Sequence, residues 1–397
     1  MGASASKGKR ASHRREREGE RVRVSAFGGS ESAPECYMCM MPETESGSSA
    51  DRAIPLGCSC RLVAHVSCAV KFFGMGPDNI ERWMRCATCT QQFGGAFRMG
   101  VARARFELVK GLPINSDARL MGTRVIAHCF VDAGQHGRAL AILTALELEL
   151  ATKHPHARGL PEILIDKATA LSGLGRSQEH TDTLYRILSS RGDRADTDPV
   201  IMEANSQLAL ALVYAKDGNM VLAEERALNA VAASSLGPDQ RKQLIYKNTL
   251  VSVLAKLGRY DEALALLAEM LPLARRVLGP DHAITLTVLH NTAAYTLRAG
   301  KVELYRESAD IARSVYEKRL ASIGPEHPNT QASRRVLRSG LETLGLACAN
   351  PNCVSAVSKL PCPRCKRVRY CADACLVADR GRHGTDCERK SAHTKRR

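Results

Sequence analysis

The chain is poor in aromatic residues: Trp, Tyr and Phe together make up 4% of 397 residues, with a single Trp. An all-β sandwich or barrel of this length would draw on many more flat side chains, so the shortage points to a helical fold built on Ala and Leu. Long apolar runs are also missing. No stretch reaches the ~18 residues that a membrane-crossing helix needs, and no secretory signal opens the sequence. These absences set the expectation of a reducing compartment, cytoplasmic or nuclear. Fifteen cysteines are expected there as metal ligands rather than disulfides. Acidic residues are outnumbered, 41 against 57 basic, for a formal charge of +16.

That excess sits at the ends. Residues 1 to 25 hold eight Lys or Arg against three Glu, and residues 359 to 397 hold twelve against four acids. Such tails are solvated and disordered, or they meet acidic surfaces; they carry no device for reading a nucleic-acid sequence. The opening MGASASKGKR fits the myristoylation pattern M-G-x-x-x-[ST], with Gly2 as acceptor and Ser6 at the required distance. One acyl chain binds a membrane only marginally, so the basic cluster Arg14, Arg15, Arg17, Arg21 and Arg23 would supply the second attraction. Attachment to the inner membrane face is therefore expected only if Gly2 is acylated.

What the chain has in quantity is helical repetition. Between Lys247 and His282 apolar residues fall at Leu250, Val251, Leu254 and Leu257, break at Gly258, and resume at Ala263, Leu264, Leu266, Leu267, Met270 and Leu271. This is the spacing of two helices that each bury one face. Turn glycines Gly134, Gly175, Gly218, Gly258 and Gly300 stand 41, 43, 40 and 42 residues apart. A repeat of that period predicts a solenoid in which each helix pair buries its face on the next. Leu236-Gly-Pro-Asp-Gln240, Leu278-Gly-Pro-Asp-His282 and Ile323-Gly-Pro-Glu-His327 keep the same beat and mark loops between units. Pro272 predicts a bend or an early helix stop. Cys129 is expected as a small buried residue, and His282 and His327 as loop residues far from any cysteine.

The array resembles tetratricopeptide repeats of the kinesin-light-chain type, best in its third to fifth units. The resemblance implies a right-handed superhelix with a groove for peptides or partner helices, lined by the first helix of each pair. It also implies groove asparagines nine or ten residues before the turn glycine, a place held here by Asn248 and Asn291. In the second unit His180 stands where Ala263 stands in the fourth, and Tyr305 does the same in the fifth.

Two cysteine clusters flank the array. The first runs Cys36-x2-Cys39, Cys58-x-Cys60, His65-x2-Cys68 and Cys86-x2-Cys89. Four ligand pairs at short spacing are what two tetrahedral zinc sites require. Interleaved as a cross-brace, Cys36, Cys39, His65 and Cys68 hold one ion, and Cys58, Cys60, Cys86 and Cys89 the other. The order C4HC3 resembles the RING-CH fingers of ubiquitin ligases, while the x4 gap before His65 is closer to PHD fingers, which read histone tails. Ala87 and Thr90 depart from the Pro and Arg common in the ligases. Met38 and Trp83 either form a shelf for a ubiquitin-conjugating enzyme or, in the case of Trp83, plug a small core.

The second cluster runs Cys348-x4-Cys353, Cys362-x2-Cys365, Cys371-x3-Cys375 and His383-x3-Cys387, with Tyr370 before the fifth cysteine. It resembles a MYND finger. The resemblance implies one zinc on Cys348, Cys353, Cys371 and Cys375, a second on Cys362, Cys365, His383 and Cys387, and binding of short proline-containing peptides. Leu376 and Arg380 stand where such fingers usually carry Gln and Trp, which puts that ligand preference in question. With the first cluster this makes four Zn2+ per chain.

The expected organisation is a basic tail (1–33), a RING-CH or PHD-like finger (34–93), a linker (94–114), five helical repeats (115–345), a MYND finger (346–388) and a basic tail (389–397). The expected class is mainly α, a solenoid flanked by two zinc-stabilised modules. No catalytic residue and no small-molecule substrate are foreseen. The leading reading is a protein-interaction adaptor. Its alternatives are a RING-type ubiquitin ligase whose array selects substrates, and a chromatin or corepressor reader.

Overall fold

The computed structural model describes residues 36–387 apart from 40–52, 59, 61, 75–79, 90, 155–158, 191, 193, 356–359, 364–367 and 385–386. Gly2, the basic ends and the expected disorder of the termini lie outside the described residues. The chain divides into two compact units, Met1–Val101 and Ala102–Arg397.

In the first unit a short antiparallel ladder pairs β1 (Ile54–Pro55) with β2 (Val63–Ala64). Helices α1 (Val66–Gly74), α2 (Ile80–Met84) and the start of α3 (Gly95–Val109) follow. Phe73, Trp83, Phe93 and Phe97 pack into one buried cluster, with ring centroids 5.0 to 5.9 Å apart. Four of the chain's few aromatic rings are thus spent on the core of one small finger, which has little aliphatic surface of its own to bury. Phe97 and Val101 belong to that cluster, so the stretch expected as a linker opens with a helical turn of the finger's own core.

The second unit is a stack of antiparallel helices: α4 (Asp117–Asp132), α5 (His136–Lys153), α6 (Leu160–Gly173), α7 (Ser177–Ser189), α8 (Pro199–Tyr214), α9 (Met220–Ser235), α10 (Gln240–Lys256), α11 (Tyr260–Leu278), α12 (Ala283–Arg298), α13 (Tyr305–Ile323) and α14 (Pro328–Thr343). Each packs on the next, and α4, α6, α8, α10, α12 and α14 also touch one another in succession. Contact between alternate helices puts the first helix of every pair on one side of the stack. The fold is a TPR-like helical solenoid. None of its helices is long and apolar enough to cross a membrane among the described residues.

One turn design recurs. Gly134, Gly175, Gly258 and Gly300 adopt φ of 70 to 76°, and the next residue's N–H reaches back to the carbonyl five positions earlier, as in Arg259 N to Leu254 O at 2.9 Å. This left-handed C-terminal motif requires glycine and ties off the orphan carbonyls of the first helix. Gly218 does not share it: its φ lies outside the left-handed region, and a Cβ there would overlap the Leu212 carbonyl oxygen. Glycine is needed at that turn for space rather than for φ. A further copy stands at Gly345, φ 67°, with Leu346 N donating to Leu341 O at 2.8 Å.

Three local expectations change. Pro272 sits inside α11, which runs unbroken to Leu278; the helix does not stop, because packing on both neighbours outweighs one missing donor. Tyr305 is not at the small-residue place of the fifth unit. A 3-10 turn over Val302–Leu304 delays α13, and the buried Ser308 takes that place, its Oγ donating to Ala293 O at 2.8 Å. His282 and His327 are more than loop residues. Each caps the helix after it, Nδ1 accepting from Ile284 N and Asn329 N at 3.1 Å, the place Asp239 fills before α10. Cys129 is buried in α4 as expected.

After α14 the chain forms β3 (Leu360–Pro361) and β4 (Arg369–Tyr370), an antiparallel pair, and then α15 (Asp373–Ala378).

Candidate metal centres and interaction groove

In the first finger the two-residue strands set the geometry. β1 leads into the loop of Cys58 and Cys60, β2 ends one residue before His65, α1 carries Cys68, and an isolated bridge between Arg85 and Gln92 closes the turn of Cys86 and Cys89. His65 Nδ1 lies 3.5 Å from Cys39 Sγ and 3.6 Å from Cys68 Sγ, and His65 N donates to Cys36 Sγ at 3.4 Å. Cys60 and Cys86 sulfurs are 3.9 Å apart. The donors of Cys36, Cys39, His65 and Cys68 lie within 4.8 Å of one another, as do those of Cys58, Cys60, Cys86 and Cys89. Alternate pairs come together, as a cross-brace requires.

The second finger is built likewise. Cys348, Cys353, Cys371 and Cys375 bring four sulfurs together, and Cys362, His383 and Cys387 form a further group. Measured contacts are 3.5 Å for Cys353 to Cys371, 3.4 Å for Cys371 to Cys375 and 3.9 Å for Cys362 to Cys387. Cys365 lies outside the described residues. Tyr370 is fully buried and its hydroxyl donates to Asp379 Oδ2 at 2.9 Å; Arg382 pairs with the same carboxylate. That triad joins β4 to α15 where the finger has almost no aliphatic core.

These sites fit zinc on their donor chemistry. A tetrahedron with Zn–S bonds of about 2.3 Å has edges of about 3.8 Å, and the sulfur–sulfur contacts fall around that length. The described cysteines are all free of disulfides. Crowded thiols oppose each other's ionisation: Cys60 is pushed up to about 12, first by its hydrogen bond with Cys89, then by burial and Cys86. Burial, followed by Cys371 and Cys353, does the same to Cys375, to about 12. A divalent cation at the centre of such a group favours the thiolates and removes that opposition.

Of its two readings Trp83 takes the core one and not the shelf: it is 3% exposed and packs, tilted, against Phe73 with ring centroids 5.6 Å apart. Met38 is half-buried against the same cluster.

Asn248 and Asn291 meet across the stack, with Asn291 Nδ2 donating to Asn248 Oδ1 at 3.1 Å. Both remain partly exposed. Other contacts repeat their offset of 43 residues: Tyr246 OH to Glu203, Ser206 to Thr249, and Ser333 to His290. The first helices α8, α10, α12 and α14 are therefore bound to each other by side chains at equivalent places.

Beside Asn291 a cavity of about 390 Å3 opens between α12 and α14, lined among others by His290, Tyr295, Arg298, Arg335 and Ser339. No acidic residue lines it. Arg298 lies over the Tyr295 ring at 5.9 Å, and among the described residues no carboxylate pairs with Arg298 or Arg335. Behind them Arg319 is 5% exposed, and its hydrogen-bond partners among the described residues are all neutral: Asn329 O, Ser333 Oγ and Thr287 Oγ1. His290 is held down to about 4 by burial and by the positive charge of Arg319, Arg298 and Arg335. Of the α14 arginines Arg334, Arg335 and Arg338, only Arg335 lines this pocket, and no spacing in the sequence sets it apart from the other two.

A family profile described as Tetratricopeptide repeat matches residues 242–314, and one described as MYND finger matches residues 348–387. The chain carries tetratricopeptide repeats and a MYND finger. The MYND match begins and ends on the first and last ligands of the second cluster. None of the curated proteins compared with the chain matches it. Among solved structures, a Podosopora anserina putative kinesin light chain with nearly identical TPR-like repeats is similar at 19% identity, covering 52% of this chain and 96% of its own, with a TM-score of 0.43. BtubC (BKLC) from P. vanneervenii is similar at 14% identity over 58% of this chain and 92% of its own, TM-score 0.47.

Proposed function

We propose that this TPR and MYND protein is a zinc-stabilised adaptor that joins other proteins and performs no chemistry of its own, with the α12–α14 end of its groove taking acidic extended segments. The observation that carries this reading is the cluster of Arg298, Arg335 and Arg319 without a carboxylate. Arg298 and Arg335 stand exposed at the groove with the buried Arg319 behind them, and with no carboxylate pairing any of the three among the described residues a bound Asp or Glu side chain supplies the charge-assisted partner they lack. Asn248 and Asn291 stand beside it and offer amide groups to a ligand backbone once their mutual bond is exchanged.

Four zinc ions per chain belong to the same reading: Cys36, Cys39, His65 and Cys68; Cys58, Cys60, Cys86 and Cys89; Cys348, Cys353, Cys371 and Cys375; and Cys362, His383 and Cys387 completed by Cys365. When bound, zinc supplies folding free energy to modules too small to hold themselves. The side chains of this chain orient it, as Tyr370 and Asp379 do by fixing β4 against α15.

The test is fluorescence polarisation of the full chain against labelled acidic peptides and their amidated counterparts. Arg335→Glu and Arg298→Glu should each weaken acidic-peptide binding at least about tenfold, an effect of the size expected for a charged hydrogen-bond partner, with no change in zinc content. Equal binding of acidic and amidated peptides would remove the groove reading. Incubation with activating enzyme, conjugating enzymes, ubiquitin and ATP tests the absence of chemistry: zinc-dependent chains lost on Cys36→Ser would replace the adaptor by a ligase.

A further inference from the structure

α14 occupies the place of a first helix in a sixth pair. It packs on α12 and α13 as the earlier first helices pack on their neighbours, and it ends in the same left-handed turn, at Gly345. In every earlier unit the turn at that place delivers a second helix. Here it delivers the opening of the MYND finger. Leu346, Ala347 and Val354 pack on the buried cluster of Ala293, Ala312, Leu337 and Leu341, covering the side of α14 that a second helix would cover. The join is also polar. Arg338 of α14 donates from Nη1 to Asn350 O at 2.8 Å and to Cys353 O at 3.0 Å, and Arg334 reaches Asn352 Oδ1 at 3.4 Å.

Those carbonyls lie on the loop from Cys348 to Cys353, the first two donors of one metal group. The loop is further tied to the finger by Ala349 N to Arg369 O at 2.8 Å and by Arg382 Nη2 to Ala349 O at 2.7 Å. A nine-residue segment without helix or strand keeps one shape only if its ends are fixed. One end is the Gly345 turn. The other is the group formed by Cys348 and Cys353 with Cys371 and Cys375. Solenoids need a terminal cap, because an end repeat otherwise exposes its stacking face.

We infer that the MYND finger is the closing cap of the solenoid, standing in for the helix that α14 lacks, so that metal loading of its first site sets the order of α14 and of the basic groove beside it. Arg338 is the positioning residue that carries the coupling. The finger is then part of the repeat array, and loss of zinc at one end reaches the groove through α14.

Hydrogen exchange on the full zinc-loaded chain, read by mass spectrometry, tests this. In Cys371→Ser, amides of residues 328–343 should exchange at least about tenfold faster than in the unaltered chain, while residues 160–189 stay protected, since end units of a solenoid open separately from distant ones. Arg338→Leu keeps every thiol. Elemental analysis should return the unaltered zinc content for it, yet residues 328–343 should again lose protection about tenfold, the size of a lost charged hydrogen bond. Unchanged protection of α14 in Arg338→Leu would overturn the proposal, as would a loss in Cys371→Ser spread evenly over all repeats. The Arg338 variant decides the matter even where the cysteine variant does not fold. Because the readout is exchange, its failure leaves the acidic-ligand reading standing.

Discussion

Replacing Arg124 by Met probes the charge pair that ties the first two repeats together. Asp166 is 6% exposed and accepts from Arg124 Nε at 2.6 Å, Arg124 Nη2 at 3.4 Å and His128 Nε2 at 3.0 Å. Burial alone raises its carboxyl; hydrogen bonds and charge from His128 and Arg124 overcome that and hold it below its ordinary value. Removing one partner of a fully buried pair costs about 3–5 kcal/mol. Arg124 keeps 22% of its side chain exposed, and His128 remains, so the expected loss is about 2 kcal/mol after allowing for solvent. Adding Asp166→Leu removes the stranded carboxylate and should bring the double variant to within about 1 kcal/mol of the unaltered chain. A depressed carboxyl contributes stability that is present above the unfolded pKa and lost as pH falls through the folded one. The deficit of Arg124→Met should therefore shrink as the medium is made acid. Trp83 lies in the first finger, so tryptophan fluorescence does not see this site; urea unfolding by far-UV circular dichroism, with hydrogen exchange of residues 117–173, does. A single variant costing under about 0.5 kcal/mol at neutral pH, or a double variant as damaged as the single one, would refute the argument.

Elemental analysis of the purified chain should return about four zinc ions, and a strong chelator should release them together with loss of finger structure. Acid should weaken the array through His290 and His180. Burial, with the nearby arginines for His290, holds both below the ordinary value, so the unfolded chain binds more protons and stability falls from the unfolded value near 6.5 down to about 4 for His290, by up to about 3 kcal/mol. His290→Gln should flatten that slope in urea titrations across the range. His282→Ala and His327→Ala each remove a helix cap and should cost about 1 kcal/mol, with Asn at either place restoring most of it. Gly279→Ala forces a side chain into a backbone of φ 93°, with an expected loss of about 1–3 kcal/mol in thermal unfolding.

Helix periodicity and turn glycines made the array legible because both are local: a face repeats every few residues, and a left-handed turn admits little besides glycine. The ligand grouping of the first cluster is read from its spacing and that of the second from the MYND resemblance, and the described donors gather in those groups. What stayed hidden depends on how elements start and meet. A 3-10 turn moved the small-residue place from Tyr305 to Ser308, which no apolar pattern records. Packing carried α11 past Pro272. Trp83 reads the same in sequence whether it lines a shelf or a core, and its burial against the tilted ring of Phe73 decides. The basic pocket needs Arg319, Arg298 and Arg335 brought together from three helices, a convergence that linear distance conceals.

The offset of 43 residues that recurs between bonded partners on α8, α10, α12 and α14 limits how this part of the protein can change length. Gaining or losing one or two residues inside such a helix would rotate its side chains by 100° or more and unpair rungs above and below it. Gain or loss of a whole unit would leave every remaining rung matched. Lineages of this chain should therefore differ by entire repeats or by lengthened connections such as the one between α7 and α8, and scarcely ever by small changes within the paired helices.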